Sequence, residues 1–414
     1  MSLFDVLPRT AAPGGDGRLT VGGCALADVA AEFGTPAFVT DEQGLRDTAR
    51  EYVEAFRARH ADTHVHFASK ALPCAPLLRL LAEEGLGCDV ASAGELAIGL
   101  SAGFDPADML LHGNAKSDAD IGAALEAGVG RIVIDGADDV ERLRRLAPGR
   151  QAVLVRVNPS VPGKTHAAMD TGSPEAKFGV PLADAPALLD RIAGVPELEL
   201  QGLHVHIGSQ LLDLDGFGRA AEAIATLGDF PVYDLGGGLG IAYRPDERAP
   251  SVADYATATV AALHEHLDPA ASLIVEPGRS VVGRSLVTLY SVVTVKRGQL
   301  THVAVNGGMG DNLEPMLYGQ RFAPAILDRE RAAETCELVG HHCESGDVLG
   351  SGVPLATPEV GDLLVMPVTG AYCYSLQNNY NGARRPPVVL CRDGDARLAV
   401  RRETLDDLLA RDVL

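Results

Sequence analysis

A single repeated pattern constrains the fold of this 414-residue chain more than any other feature. Between about residue 60 and residue 280, a short β-rich apolar run is followed by a turn and then by a segment with apolar residues at helical spacing. Eight such runs alternate with helical segments, which is the strand count of a (β/α)8 barrel. The predicted strands are His64–Ser69, Gly87–Ala91, Met109–Gly113, Arg131–Asp135, Ala152–Asn158, Leu200–Ile207, Pro231–Gly236 and Ser272–Glu276.

The competing α/β fold is a doubly wound open sheet, which more often carries a G-x-G-x-x-G turn after its first strand. That turn is missing from this sequence. After Val281 the pattern changes, because residues 286–305 are rich in Val and Thr and predict a hairpin. Further strands are predicted at Asp362–Pro367 and Val388–Cys391, and a helix at Thr404–Asp412. We therefore predict a barrel over residues 37–282 and a mostly β domain formed by residues 1–36 and 283–414.

The charge and the cysteines limit the possible partners. The net charge is −21 and the pI is near 4.9, so the surface repels nucleic acid and anionic membranes. The seven cysteines are odd in number and form no C-x-x-C pair, which argues against a disulfide framework and against structural zinc. The first residues do not resemble a signal peptide, and no apolar stretch approaches membrane-spanning length. These observations predict a cytoplasmic protein that acts on a small molecule.

The unusual polar residues fall at the ends of the predicted strands. A barrel enzyme places its chemistry just beyond the carboxyl ends of its strands, so this is where catalytic groups are expected. The coincidence of several such positions is a stronger signal than any one of them. These positions are Lys70, Asp89, Asn114, Asn158, His206, Gly236–Gly238 and Glu276.

Two of these positions predict opposite charges at the barrel mouth. Lys70, in H-F-A-S-K-A, offers an amine that can form an imine with a carbonyl group, although a lone lysine after a strand is usually a surface residue. Glu276, in E-P-G-R-S, offers a carboxylate that could keep a pyridine nitrogen protonated. The simpler alternative for Glu276 is an ordinary surface ion pair.

Two further motifs are compatible with a cofactor. The glycines of D-L-G-G-G-L-G (234–240) could hold a phosphate on their N–H groups, or could simply form a tight turn. In H-V-H-I-G-S-Q (204–210), His204 and His206 are two apart on a predicted strand and would face the same side. They could bind a metal, stack on a cofactor ring or lie in the core. We discount a metal because no third ligand is obvious nearby.

Taken together, the motifs resemble one enzyme family. The chain is similar over nearly its whole length to fold-type III pyridoxal-phosphate decarboxylases, most closely diaminopimelate decarboxylases and more distantly ornithine and arginine decarboxylases. The strings that carry the resemblance are H-F-A-S-K (66–70), G-L-G-C-D-V-A-S-A-G-E-L (85–96), G-N-A-K-S (113–117), R-V-N-P (156–159), T-G…K-F-G (171–179), G-L-H-V-H-I-G-S-Q (202–210), D-L-G-G-G-L-G (234–240), E-P-G-R-S (276–280), C-E-S-G-D (343–347), G-A-Y (370–372) and N-Y-N (379–381).

The resemblance implies a decarboxylase of amino-acid metabolism, in lysine biosynthesis, that releases the α-carboxylate as carbon dioxide through an aldimine on Lys70. It also implies a homodimer with shared active sites, in which Cys343 and Glu344 enter the site of the other subunit and Cys343 returns a proton to the product. The remaining implied contacts are Asp89 near the lysine; His206 on the pyridine ring; Ser209, Gly236, Gly237, Gly238 and Tyr380 at the phosphate; Glu276 at the pyridine nitrogen; and Arg279 at the phosphate or the substrate carboxylate.

One position departs from the family pattern. Diaminopimelate decarboxylases carry an R-P-A-L-Y-like string where this chain has E-P-M-L-Y, so Tyr318 matches but Glu314 replaces the arginine that helps to hold the distal carboxylate of the substrate. At ~4 Å and an effective dielectric near 20, reversing one charge changes the interaction by several kcal/mol. Glu314 could face a distal cation, as in ornithine, lysine, arginine or a specialised intermediate, which predicts weak activity on meso-diaminopimelate. Alternatively, Glu314 turns away and Arg279 or Arg321 binds the carboxylate.

Two other functions share the barrel and the cofactor. A racemase similar to alanine racemase would leave the C-E-S-G-D and H-I-G-S-Q strings unexplained. A non-catalytic homologue would be expected to lose Lys70, Cys343 or Glu276, and all three are present. The sequence therefore favours the decarboxylase.

Overall fold

The structure is a computed structural model that describes residues 2–161, 171–329 and 333–413. The chain forms two compact units. The barrel unit comprises residues 48–241 and 248–281, and the β-rich unit comprises residues 1–47, 242–247 and 282–414.

The barrel unit contains the predicted closed parallel barrel. Each strand pairs in parallel with the next one along the chain, and the eighth strand pairs with the first, which closes the barrel. The eight strands are Thr63–Ala68, Gly87–Val90, Met109–Leu111, Arg131–Ile134, Gln151–Asn158, Leu198–His204, Val232–Asp234 and Ser272–Val275. All eight predicted strands are therefore confirmed, with ends that differ by at most three residues.

Helices connect the strands, and their ends carry the expected local signals. In the helix Asp118–Ala127, Ser117 and Asp120 form a capping box at the start, and Gly128 ends the helix in the left-handed conformation at φ 75°. Such caps satisfy the free N–H and C=O groups at helix ends and hold each helix in register. The barrel helices are Glu42–Arg57, Ala75–Glu83, Ala93–Ala102, Asp118–Ala127, Ala137–Leu146, Ala185–Ala193, Asp215–Ala225, Val252–His266 and Arg279–Val282.

The β-rich unit is built on a nine-stranded mixed sheet and a small three-stranded sheet. The long strand Leu286–Arg297 is central, because it pairs with three other strands of the large sheet. The strands are Ala12–Pro13, Leu19–Val21, Cys24–Ala25, Ala37–Asp41, Leu286–Arg297, Thr301–Val305, Ala325–Ile326, Ala333–Val339, Val348–Ala356, Leu363–Met366, Val388–Arg392 and Asp395–Val400, and the helices are Leu26–Phe33, Glu314–Tyr318 and Leu405–Leu409.

The boundary between the units differs from the predicted one at residue 37. Residues Ala37–Asp41 are fully buried and pair antiparallel with Leu286–Leu289 and parallel with Val388–Cys391, so they belong to the β-rich sheet. A short apolar run at the start of the alternating pattern does not reveal its partner strand, because periodicity reports burial rather than pairing. Residues 242–247 also group with the β-rich unit. Among the described residues no helix has the length and apolar character needed to cross a membrane.

A buried carboxyl group in the β-rich unit makes stability depend on pH. Burial raises the pKa of Asp311 to about 7, although Tyr290 and the Gly308 N–H donate hydrogen bonds to it. The folded state therefore binds this proton more tightly than the unfolded chain, so its stabilising effect is complete below about pH 4 and is lost as the pH rises towards 7.

We expect Asp311→Asn, which is neutral at every pH, to remove this part of the pH dependence. A rise in the pKa of Asp311 from 3.8 to about 7 corresponds to up to about 4 kcal/mol in the free energy of unfolding. Urea unfolding at pH 5 and pH 8 should show that the variant loses less stability than the wild type over this range. The exposed Asp393→Asn serves as the control and should lose as much stability as the wild type. Parallel losses in Asp311→Asn and the wild type would contradict the assignment.

Candidate active site

Two histidines hold Glu276 at the end of the eighth barrel strand. His112 Nε2 lies 2.6 Å from Glu276 Oε1, and His204 Nε2 lies 3.2 Å from Glu276 Oε2. Burial by itself raises the pKa of Glu276, but the two nearby histidines outweigh burial and hold this pKa well below its usual range. Glu276 is therefore a buried carboxylate that favours the ionised form.

The two neighbouring carboxyl groups behave in the opposite way. Burial, followed by repulsion from Glu276, raises the pKa of Asp89 and of Asp234 well above the usual range. The positive charge of Lys70 partly offsets the effect at Asp89. The barrel thus separates three carboxyl groups into one that is charged and two that favour the protonated form.

The same cluster supplies donors that a metal could use. Ligand atoms of His112, His204, Asp234 and Glu276 all lie within 4.8 Å of one another. The sequence argued against a metal because no third ligand was obvious near the two histidines, but the structure places further candidate ligands around His204. His112 Nε2 and Glu276 Oε1 are nevertheless only 2.6 Å apart. Two ligands of tetrahedral zinc are separated by roughly 3.3 Å, which follows from metal–ligand bonds near 2.0 Å. The geometry fits a hydrogen-bonded carboxylate better than a metal site.

His206 lies beyond the sixth strand, which ends at His204 rather than at the predicted Ile207. The prediction that His204 and His206 face the same side of a strand therefore does not apply, because His206 is not on the strand. Its Nδ1 accepts a hydrogen bond from the Gly237 N–H at 3.2 Å, which places the ring proton on Nε2. Burial, followed by the charges of Lys70 and Arg156, lowers the pKa of His206 well below its usual value. His206 is thus a neutral, half-buried ring in the barrel unit.

The glycine turn after the seventh strand is required by close backbone packing. A Cβ atom at Gly237 would lie 2.0 Å from the Glu276 carbonyl oxygen, and Gly236 and Gly238 have φ values of 66° and 118°. The Gly236 N–H donates to Asp234 and the Gly237 N–H donates to His206. Of the three N–H groups predicted to hold a phosphate, two therefore already have acceptors in the protein.

The remaining barrel residues complete a set that suits a phosphorylated pyridine cofactor. Lys70 is exposed in a turn directly after the first strand. Arg279 is buried, and its Nε donates to Ser209 Oγ at 3.4 Å. The exposed amine of Lys70 matches the aldehyde of such a cofactor, and the neutral ring of His206 matches the face of its ring. The guanidinium group of Arg279 matches the phosphate, and the ionised carboxylate of Glu276 matches the ring nitrogen.

The β-rich unit brings together Cys343 and the segment that contains Tyr380. The Cys343 N–H donates to Asn381 Oδ1 at 2.7 Å, and the rings of His342 and Tyr380 are 6.0 Å apart. Cys343 lines a cavity of about 620 Å³ in this unit. All seven cysteines are described, and Cys343 is the exposed one among them. The side chain of Glu344 is half-buried and accepts a hydrogen bond from the Gly346 N–H.

Glu314 begins the short helix Glu314–Tyr318 in the β-rich unit. It is 1% exposed, and Tyr243 Oη donates to Glu314 Oε2 at 3.3 Å. Tyr318, at the end of the helix, is half-buried. Arg321 is exposed and lines a cavity of about 610 Å³ in the same unit; among the described residues no hydrogen bond or ion pair involves its guanidinium group. The Glu314 carboxylate is thus bound by the protein, whereas Arg321 is an accessible cation.

Comparisons with known proteins agree with this geometry. Residues 45–283 match the family described as pyridoxal-dependent decarboxylase, pyridoxal binding domain. The chain is 48% identical to a diaminopimelate decarboxylase of Actinosynnema pretiosum subsp. auranticum over 96% of this chain and 93% of that protein. It is 40% identical to a diaminopimelate decarboxylase of Mycobacterium tuberculosis over 99% of this chain and 98% of that protein.

A solved structure of similar fold is diaminopimelate decarboxylase from M. jannaschii in complex with L-lysine, with a TM-score of 0.91, 30% identity and 98% coverage of both chains. A barrel with a lysine after its first strand and a carboxylate after its last suits a pyridoxal-phosphate enzyme, and the match over residues 45–283 shows that class. The chain belongs to the pyridoxal-dependent decarboxylase family. It is therefore a decarboxylase that uses pyridoxal phosphate, which confirms the predicted fold class, cofactor and reaction class.

The sequence interpretation missed His112. It named Asn114 after the third strand, but Asn114 is exposed, whereas His112 directly follows the strand Met109–Leu111 and contacts Glu276. The rule that polar residues follow barrel strands also applies to His112, so the signal was present. What the sequence lacked was any indication that His112 and Glu276 meet.

Proposed function

We propose that this decarboxylase acts on diaminopimelate. The observation that carries the proposal is the similarity over nearly the whole chain to two proteins named diaminopimelate decarboxylase, at 48% and 40% identity. Removing one carboxylate from diaminopimelate leaves lysine, and the similar M. jannaschii structure holds L-lysine. A second candidate is a basic amino acid with a single carboxylate, which the charge of Glu314 favours.

The barrel residues have distinct roles in this proposal. Bound pyridoxal phosphate supplies an aldehyde that condenses with amines and a protonated ring that withdraws the electron pair left by the departing carboxylate. Lys70 provides the amine that holds the cofactor, and Asp89 lies close enough to sense its charge. Glu276 would hold the proton on the ring nitrogen. His206 would face the ring as a neutral imidazole, and Ser209, Arg279, Gly238 and Tyr380 would hold the phosphate.

Cys343 is the proposed proton donor to the product carbon. A thiol suits this step because its pKa lies closer to neutrality than that of a hydroxyl group. Its exposure on the β-rich unit agrees with a site completed by a second copy of the chain. We therefore also propose a homodimer in which Cys343 and Glu344 serve the site of the partner subunit, with Tyr318 and Glu344 near the substrate.

The burial of Glu314 supports diaminopimelate over a basic amino acid. A carboxylate that is 1% exposed and hydrogen-bonded by Tyr243 is satisfied within the β-rich unit and does not need a cation from the substrate. Arg321, three residues beyond Tyr318, is the accessible cation for the distal carboxylate. This arrangement corresponds to the second of the two interpretations of Glu314.

We expect the wild type to decarboxylate meso-diaminopimelate at least about tenfold more efficiently in kcat/KM than L-lysine, L-ornithine or L-arginine, since a charged contact contributes about 1.5–3 kcal/mol.

Two variants test which residue sets this preference. Glu314→Gln keeps the shape and the acceptor for Tyr243, so the ratio of kcat/KM for diaminopimelate to kcat/KM for the basic amino acids should stay within about threefold of the wild-type ratio. Arg321→Gln should lower kcat/KM for diaminopimelate by about tenfold and leave turnover of the basic amino acids unchanged. Carbon dioxide release measures all of these. Wild-type preference for a basic amino acid that Glu314→Gln abolishes would establish the second candidate instead.

A further inference from the structure

His112 is held in place by the backbone around it. Its N–H donates to the Val90 carbonyl oxygen at 2.8 Å, directly beyond the third barrel strand. Four residues later, the buried Lys116 Nζ donates to the carbonyl oxygens of Gly113 and Val133 and to Asp139 Oδ2, at 2.6 to 2.8 Å. These bonds tie the loop that follows His112 to the fourth strand and to the helix Ala137–Leu146. The backbone position of His112 is therefore fixed by the fold.

The two oxygens of Glu276 each have their own imidazole partner. His112 contacts Oε1 at 2.6 Å and His204 contacts Oε2 at 3.2 Å, and the two rings are 5.0 Å apart at 65° to one another. The carboxylate cannot rotate about its last bond without losing both contacts. Of the two histidines, His112 makes the shorter contact and its side chain is the more exposed, at 14% against 1%.

We propose that His112 is a positioning residue that keeps Glu276 oriented and ionised toward the ring nitrogen of the cofactor, and that it acts through Glu276 without touching the substrate. The proposal depends on the cofactor, which the family supplies, and not on which amino acid is the substrate. Its failure is therefore distinguishable from failure of the proposed function.

The charge balance around Glu276 explains why a second imidazole is needed. Asp89 and Asp234 lie beside Glu276, and its negative charge helps to raise the pKa of each. Burial lowers the pKa of His204 to about 4, so at neutral pH His204 is a neutral N–H donor. One neutral donor offsets only part of the cost of burying a carboxylate between two other carboxyl groups. His112 Nε2 lies 2.6 Å from the other oxygen, Oε1, and so places a second imidazole against the carboxylate at ion-pair distance.

The test uses the full chain, stripped of cofactor and titrated with pyridoxal phosphate. Equilibrium dialysis gives the dissociation constant, and the visible absorbance of the bound cofactor reports the protonation of its ring. The variants are His112→Ala, His112→Gln, Glu276→Gln and the double variant His112→Ala with Glu276→Gln. His64→Ala is the matched control, because His64 lies on the first barrel strand with its side chain 42% exposed and pairs with Asp62.

We expect His112→Ala to weaken cofactor binding by about 10- to 100-fold and to shift the visible band in the same direction as Glu276→Gln does. His112→Gln keeps an N–H donor and should recover part of both effects. In the Glu276→Gln background, adding His112→Ala should weaken binding by less than about threefold, since the carboxylate through which His112 acts is gone. His64→Ala should behave as the wild type.

A purely structural role predicts a different pattern. In that case His112→Ala would weaken cofactor binding by the same factor in the wild type and in the Glu276→Gln variant, and the visible band would not move. Either result overturns the proposal. So does binding within threefold of the wild type in His112→Ala. If His112→Ala does not fold, His112→Gln replaces it. The same criterion then applies: His112→Gln should weaken cofactor binding less in the Glu276→Gln variant than in the wild type.

Discussion

Lys70→Ala is expected to abolish both decarboxylation and the covalent attachment of the cofactor. Lys70 follows the first barrel strand, and its charge is sensed by Asp89 and His206, so it is the amine placed to bind the aldehyde. We expect kcat to fall by about 10⁴-fold or more, the scale on which removal of a covalent catalytic group acts. Borohydride reduction followed by mass analysis should find the cofactor fixed to Lys70 in the wild type and to no residue in the variant.

Lys296→Ala is the matched control for this experiment. Lys296 is an exposed lysine on the strand Leu286–Arg297 of the β-rich unit, so its loss removes the same charge without touching the barrel. The control should keep full activity and the reducible cofactor link. A cofactor link that survives in Lys70→Ala would show that another amine forms it, and the assignment of the site would be wrong.

Cys343→Ala is expected to have the second-largest effect. If the thiol returns the proton to the product carbon, its removal should lower kcat by about 10²- to 10⁴-fold and change the KM little. Cys343→Ser, which keeps a weaker proton donor, should recover part of the rate. Cys336→Ala, a change at a buried cysteine in the strand Ala333–Val339, is the control and should retain the wild-type rate.

Mixing the two inactive variants tests whether the site is shared between subunits. A hybrid dimer of Lys70→Ala and Cys343→Ala chains has one site with an intact Lys70 and an intact Cys343 only if these residues come from different subunits. Random exchange makes half of the dimers hybrids, so about a quarter of the wild-type activity should return. If subunit exchange is verified and no activity returns, the shared site is excluded.

Much of the barrel could be predicted from the sequence because its signals are local. The alternation of apolar runs and helical segments depends on neighbouring residues, and all eight strands were located from it. The same rule directs attention to strand ends, where Lys70, His206 and Glu276 lie. The motifs beyond the strands added the family, and with it the cofactor and the reaction class.

Other features depended on contacts between residues that are distant in the chain. The segment Ala37–Asp41 has the composition of a barrel strand, but its hydrogen bonds join it to Leu286–Leu289 and Val388–Cys391. The sequence showed the replacement of an arginine by Glu314 but not that Tyr243 binds its carboxylate. Strand pairing and burial are properties of the assembled sheet, so local composition does not determine them.

The sequence by itself determined which chemical groups are available at the barrel mouth: an amine, an imidazole, glycines and a carboxylate, each at the end of a strand. Only the tertiary structure decided their states. Glu276 is ionised and Asp89 and Asp234 favour the protonated form because His112 and His204 approach Glu276 most closely, at 2.6 and 3.2 Å, whereas His112 lies 3.9 Å from Asp89. The physical reason is that a pKa in a buried site depends on desolvation and on charges a few ångströms away, and these distances exist only in the folded barrel.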